Sequence, residues 1–105
     1  MIEFIKRFLG IGPAVNYTEL LNQGAIILDV RSTAEYASGH LKGSLNIPVD
    51  ALASNLDKLK NKNIPIITCC ASGMRSAAAK SILLNKGYSA VYNGGGWSVL
   101  KNKIQ

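Results

Sequence analysis

The chain predicts an α/β fold with a mostly parallel sheet, and three observations carry that prediction. Apolar runs without alternation, above all Ala25-Ile26-Ile27-Leu28-Asp29-Val30 and Ile64-Pro65-Ile66-Ile67-Thr68, suit strands buried on both faces. These runs alternate with helical patterns over short connections, as βα units require. The length of 105 residues, 48% apolar and 17% charged, suffices for one hydrophobic core and describes a globular chain.

Residues 1–13 read as an N-terminal unit. Ile2, Ile5, Phe8 and Leu9 share one face of a short amphipathic helix, and Gly10, Gly12 and Pro13 make a linker to a domain over residues 14–105. Glu3 and the brevity of the apolar stretch disfavour a signal peptide, and nothing approaches the length of a membrane span. The helix is therefore expected to pack on the domain rather than on a membrane. Ala14-Val15-Asn16 gives a short first strand, and Thr18 caps a helix running through Asn22 and ended by Gly24.

The strand Ala25–Val30 carries one acid near its end. Ser32 opens a short helix through Tyr36, with Glu35 in the capping-box position. Gly39–Gly43 is a turn, Ser44–Ile47 a short strand stopped by Pro48, and Asp50 caps a helix with Leu52, Leu56 and Leu59 on one face. Asn61–Asn63 turns the chain into the central strand, Ile64–Thr68. The helix from Arg75 to about Lys86 turns Ala78, Ile82 and Leu83 inward and closes at Gly87. Ala90–Tyr92 is the last strand, Asn93–Gly96 a flexible turn, and Trp97–Lys103 a terminal helix.

Charge and cysteine content narrow the function. The net charge of +6 admits anionic substrates, but the lysines are scattered and no aromatic residues interleave with the run Lys58, Lys60, Lys62, so a solvated basic face is expected and nucleic acid is not. Two adjacent cysteines make a poor disulfide framework, and two Cys with one His supply no metal-ligand pattern. A free, working thiol in a reducing, cytoplasmic setting fits best.

That thiol lies where the central strand meets the next helix, in Cys69-Cys70-Ala71-Ser72-Gly73-Met74-Arg75-Ser76. In parallel sheets ligands sit outside the carboxyl ends of strands, which is where this loop falls. A thiolate needs stabilisation to be useful near neutral pH. Here the amides of a tight turn, the positive end of the following helix and the fork of Arg75 converge on it. Ser72 and Ser76 can donate further hydrogen bonds or cap the helix. Cys69 continues the apolar run and reads as a buried neighbour, whereas Cys70 stands in the polar loop and reads as the nucleophile.

Cys70-Ala71-Ser72-Gly73-Met74-Arg75-Ser76 resembles the active-site loop of the rhodanese family of sulfurtransferases. Leu28-Asp29-Val30-Arg31, Glu35-Tyr36, Gly39-His40-Leu41, Gly43-Ser44 and Asn46-Ile47-Pro48 follow that family's N-terminal signature, and Gly95-Gly96-Trp97 adds a third segment. The resemblance implies a three-layer α/β/α fold with a five-stranded, mostly parallel sheet, and ping-pong sulfur transfer from a donor such as thiosulfate to cyanide or a thiol. Cys70 would carry the sulfur as a persulfide, cradled by the amides of Ala71, Ser72, Gly73, Met74 and Arg75. Arg75 would also orient the donor's oxyanion end. Asp29 and Arg31 are expected to support the loop, with Asp29 accepting its N–H groups; His40 and Trp97 are expected to be structural. Neither a metal nor an organic cofactor is called for, and the partners are a small anionic sulfur donor and a thiol acceptor or sulfur-relay protein, with the chain a monomer.

Two rivals remain. Counted from Cys69, the spacing to Arg75 and Ser76 is that of cysteine phosphatases, although Thr68 stands where those enzymes carry His. A sulfur-carrier or interaction module, or a redox sensor using both thiols, would carry the same loop.

Overall fold

The computed structural model describes residues 14–104; the helix and linker expected over residues 1–13 lie outside the described residues. Four strands, β1 (Ile26–Asp29), β2 (Leu45–Asn46), β3 (Ile66–Cys70) and β4 (Val91–Gly96), form one sheet in the order β2-β1-β3-β4. All three pairings are parallel. The α-helices are α1 (Tyr17–Asn22), α2 (Thr33–Ala37), α3 (Met74–Asn85) and α4 (Trp97–Lys103). The α/β class and the parallel sheet thus stand as the sequence predicts, with four strands among the described residues instead of five.

The missing strand has a local cause. Asn16, expected to end a strand, is the N-cap of α1, its Oδ1 accepting the Glu19 N–H at 3.0 Å, so Thr18 lies inside the helix instead of capping it. Side-chain competition also explains why no helix follows Asp50. Asn55 Nδ2 and Ser54 Oγ both donate to the Ala51 carbonyl, at 2.8 and 3.2 Å, and divert it from a helical ladder. Two 3₁₀ turns, Val49–Ala51 and Leu56–Lys58, form there, yet Leu52 and Leu59 still reach the core.

β3 is buried along its whole length, and its side chains alternate between two apolar clusters. Ile66 and Cys70 face one cluster with Leu28, Val30, Ile47, Ala79 and Leu83, covered by α3 and the 3₁₀ turns. Ile67 and Cys69 face the other with Tyr17, Ile27, Leu41 and Leu100, covered by α1 and α4. Three layers result. The inward face of α3 is Ser76, Ala79 and Leu83, with Ile82 half-buried and Ala78 turned outward, a small rotation from the face the sequence predicts.

β3 starts after Pro65, which has no N–H for the ladder, and runs two residues beyond the expected end at Thr68. β4 extends through the glycine run that reads as a flexible turn. The reason is close approach: a Cβ on Gly94 would stand 2.8 Å from the Thr68 carbonyl oxygen, and one on Gly96 2.8 Å from that of Ala71. The register shifts between Thr68 and Cys70 as β4 bends around the loop.

Candidate active site

Cys70 ends β3 and α3 begins at Met74, so Ala71, Ser72 and Gly73 must reverse the chain within a few residues. Gly73 does so at φ +107°, a left-handed value that strains any L side chain. The reversal turns N–H groups toward the sulfur: Cys70 Sγ accepts from Gly73 N–H at 2.9 Å and Ser76 N–H at 3.4 Å. Burial pushes the Cys70 thiol up, but hydrogen bonds from the amides of Ser76, Gly73 and Ser72 and from the Ser76 hydroxyl outweigh it, and the net shift is downward. The loop therefore favours a thiolate.

Cys69 has the opposite environment. It is fully buried on the other face of β3, and burial, with the nearby Asp29 carboxylate adding to it, pushes its thiol up to about 12. The two thiols are neighbours in sequence and face opposite layers. A phosphatase reading built on Cys69 loses its nucleophile, and a sensor built on both thiols loses its geometry.

Arg75 is held by a residue whose second role the sequence reading missed. Its Nη1 and Nη2 donate to Glu35 Oε1 and Oε2 at 2.7 and 2.9 Å, a bidentate pair that points the fork toward α2. In this arrangement both Nη groups of Arg75, the fork expected to orient a donor's oxyanion end, are engaged by Glu35. Glu35 also completes the capping box, accepting from Ser32 N–H at 3.0 Å, so one carboxylate closes α2 and ties it to the loop. The Arg75 hydrogen bonds, helped by the Ser32 amide, hold the Glu35 carboxyl at about 2. A depressed carboxylate contributes stability above its unfolded value of 4.5 and loses it as pH falls through about 2. The Glu35 carboxyl resonance followed by NMR is expected to titrate near pH 2, and an ordinary midpoint near 4.5 would show that the pair does not persist in solution.

Asp29 does not accept from the loop. Its Oδ1 accepts from Arg31 N–H and Nε–H, each at 3.0 Å, and its Oδ2 from Arg31 Nη2 at 2.7 Å. Arg31 in turn donates to the Gly39 carbonyl at 2.7 Å and the Glu35 carbonyl at 3.3 Å, and lies 4.8 Å over the Trp97 ring. Support therefore runs from Asp29 through Arg31 to α2, then through the Glu35 carboxylate to Arg75. His40 is exposed, stacks on Tyr36 at 3.8 Å and donates through Nδ1 to the Tyr36 carbonyl at 2.7 Å, a turn-stabilising role. Trp97 is half-buried against the second apolar cluster.

Two more residues brace the far side. Thr68 Oγ1 donates to the Ser76 carbonyl at 3.0 Å, and Asn93 Oδ1 accepts from the Ser76 hydroxyl and from Gly95 N–H at 2.9 Å. Asn93 was hidden by its Asn-Gly pairing, which reads as a turn. Among the described residues no cluster of three or more His, Cys, Asp or Glu could hold a metal, and no helix is long and apolar enough to cross a membrane.

A thiol at a strand end, accepting amide N–H groups from a three-residue turn and the first turn of the helix that follows, marks the candidate site on this α/β sheet. The model of the rhodanese-like domain matches residues 14–103, and the chain belongs to that family. It is 30% identical over 81 residues to the thiosulfate sulfurtransferase GlpE of Pseudomonas fluorescens, covering 77% of this chain and 73% of that one. It is 34% identical over 70 residues to the thiosulfate sulfurtransferase PspE of Escherichia coli, covering 66% and 67%. The human single-domain sulfurtransferase TSTD1 superposes with a TM-score of 0.72 at 28% identity, over 90% of this chain and 99% of that one. The enzyme class of the chain is sulfurtransferase.

Proposed function

We propose that Cys70 moves sulfane sulfur from thiosulfate or a persulfide donor to a thiophilic acceptor by way of a Cys70 persulfide. The observation that carries this reading is the pair of amides, Gly73 and Ser76, aimed at Cys70 Sγ at the start of α3. In the first half-reaction the Cys70 thiolate attacks the donor's outer sulfur. The donor's S–S bond breaks, its inner group leaves with the bonding pair as sulfite or a thiolate, and a new S–S bond joins the outer sulfur to Cys70. In the second half, cyanide or an acceptor thiolate attacks that outer sulfur, and Cys70 leaves as the thiolate it began as. Every electron pair moves between the reacting atoms, so the cycle balances without a metal or organic cofactor.

The amides of Ala71 through Arg75 and the Ser76 N–H serve both anions of the cycle, thiolate and persulfide. Glu35 and Arg75 fix the loop's far end, and Thr68 and Asn93 fix Ser76. A reducing compartment such as the cytoplasm keeps Cys70 free to act.

Intact-mass spectrometry after incubation with a sulfur donor tests the reading. The wild-type protein is expected to gain one sulfur, lost again on adding cyanide, and peptide mapping should place it on Cys70. Cys69→Ser should retain the adduct and Cys70→Ser should lose it. Failure of every donor to load Cys70 would sink the proposal.

A further inference from the structure

We propose that Glu35 sets the choice of donor: by engaging both Nη groups of Arg75 it withdraws the loop's cation from the incoming molecule, so Cys70 takes sulfur from a low-charge hydropersulfide in preference to the thiosulfate dianion. This inference rests on the Cys70 persulfide reading and ranks the two donor classes that reading admits.

Arg75 is the only cationic residue between Cys70 and Ser76, and its partners Ala71, Ser72, Gly73 and Met74 add no charge. Its fork meets Glu35 with both Nη groups, at 2.7 and 2.9 Å, so the pair presents no net charge to a ligand. Beside Arg75 lies a cavity of about 320 Å³ lined by Val30, Ser32, Pro48, Val49 and Asp50. Its walls are therefore largely apolar, and its one further charge is a carboxylate. Counting Glu35, the surroundings of Arg75 hold two acids, Glu35 and Asp50, against one guanidinium. The exposed part of the loop adds no charge: Met74 is 82% exposed, and Ala71 and Ser72 are exposed too. The overall charge of +6 draws anions toward the protein at long range, but it is screened over about 10 Å of salt solution and does not replace contacts at the site.

The two donors make different demands. With thiosulfate, two negative charges approach the thiolate, and sulfite leaves with both, so a free cation would favour every stage. With a hydropersulfide, the Cys70 thiolate attacks the outer sulfur of R–S–S–H. The donor's S–S bond breaks, R–S⁻ departs with the bonding pair, and a new S–S bond joins the outer sulfur to Cys70 Sγ as a hydropersulfide. One negative charge moves from Cys70 to the leaving thiolate, which the amide cradle and the start of α3 can balance. Glu35 acts through Arg75 and is a positioning residue.

The test is the rate at which Cys70 gains one sulfur, read by quenched mass spectrometry, with thiosulfate and with the hydropersulfide of N-acetylcysteine methyl ester. The wild-type protein should load from the hydropersulfide at least about tenfold faster at equal concentration. Glu35→Gln keeps an acceptor for the capping box and removes the charge, freeing Arg75. It should shift the ratio of the two rates toward thiosulfate by about tenfold, chiefly as a lower KM for thiosulfate. A merely structural role for Glu35 would change both rates together. A wild-type preference for thiosulfate, or loading of Cys70 from both donors with a ratio unmoved in Glu35→Gln, overturns the donor assignment and leaves the persulfide reading standing. If Glu35→Gln does not fold, the wild-type ratio alone decides. Loading from neither donor overturns both readings.

Discussion

Asp29→Ala is expected to cost about 3–5 kcal/mol of stability. Asp29 is fully buried and Arg31 is 4% exposed, and the two are joined by three hydrogen bonds from the guanidinium and one from the Arg31 amide. Removing the carboxylate leaves a guanidinium in the interior with two backbone carbonyls, Glu35 and Gly39, as partners, and no counter-charge. An uncompensated buried charge is costly because Arg cannot shed its proton. Thermal unfolding should fall by about 15–30 °C for a domain of this size. Asp29→Asn, which keeps an acceptor of the same shape, should lose less. The double variant Asp29→Ala/Arg31→Met should recover part of the loss, since no charge is then stranded. A double variant no more stable than Asp29→Ala alone would show that packing, and not the buried charge, sets the cost.

The same pair shows what the sequence could and could not convey. Leu28-Asp29-Val30-Arg31 marks a strand end with an acid and a base two residues apart, which is enough to expect a supporting role near the loop. It does not reveal that Asp29 faces Arg31 instead of the loop amides, because both partners have the same hydrogen-bonding chemistry and only the direction of the backbone chooses between them. Cys70 was legible because strand, polar turn and helix succeed one another within a few residues, which leaves few geometries for the sulfur. Glu35 was half legible. The capping box is a local pattern with a separation of three residues, whereas the contact of Glu35 with Arg75 spans 40 residues and follows from sheet order. Short elements fared worst for a related reason. At Asn16, Ser54 and Asn55, single side chains divert backbone groups, and one hydrogen bond outweighs propensity summed over so few residues.

The glycines after β4's first residues were the most misleading feature, and substituting them should separate folding from function. A Cβ at Gly94 would meet the Thr68 carbonyl oxygen at 2.8 Å, Ile67 Cγ2 at 2.9 Å and Leu100 Cδ2 at 3.0 Å. Those atoms belong to the central strand and the core of the second layer, where neither backbone nor packing can yield cheaply. Gly94→Ala should therefore cost about 3 kcal/mol, seen as a lower urea midpoint with an unchanged slope. Gly96 presents a different contact. Its Cβ would press on the Ala71 carbonyl oxygen, also at 2.8 Å, and Ala71 lies in the exposed part of the loop and not in the core. Stability should fall by only about 1 kcal/mol in Gly96→Ala, but the contact displaces the amides that hold Cys70 Sγ, and sulfur loading should slow by about 100-fold. The two variants thus add the same methyl group one turn of the pleat apart, with the same nearest distance to a carbonyl oxygen. If Gly96→Ala loads sulfur at the wild-type rate, the loop does not depend on β4 for its shape, and the tight apposition of the two is packing alone.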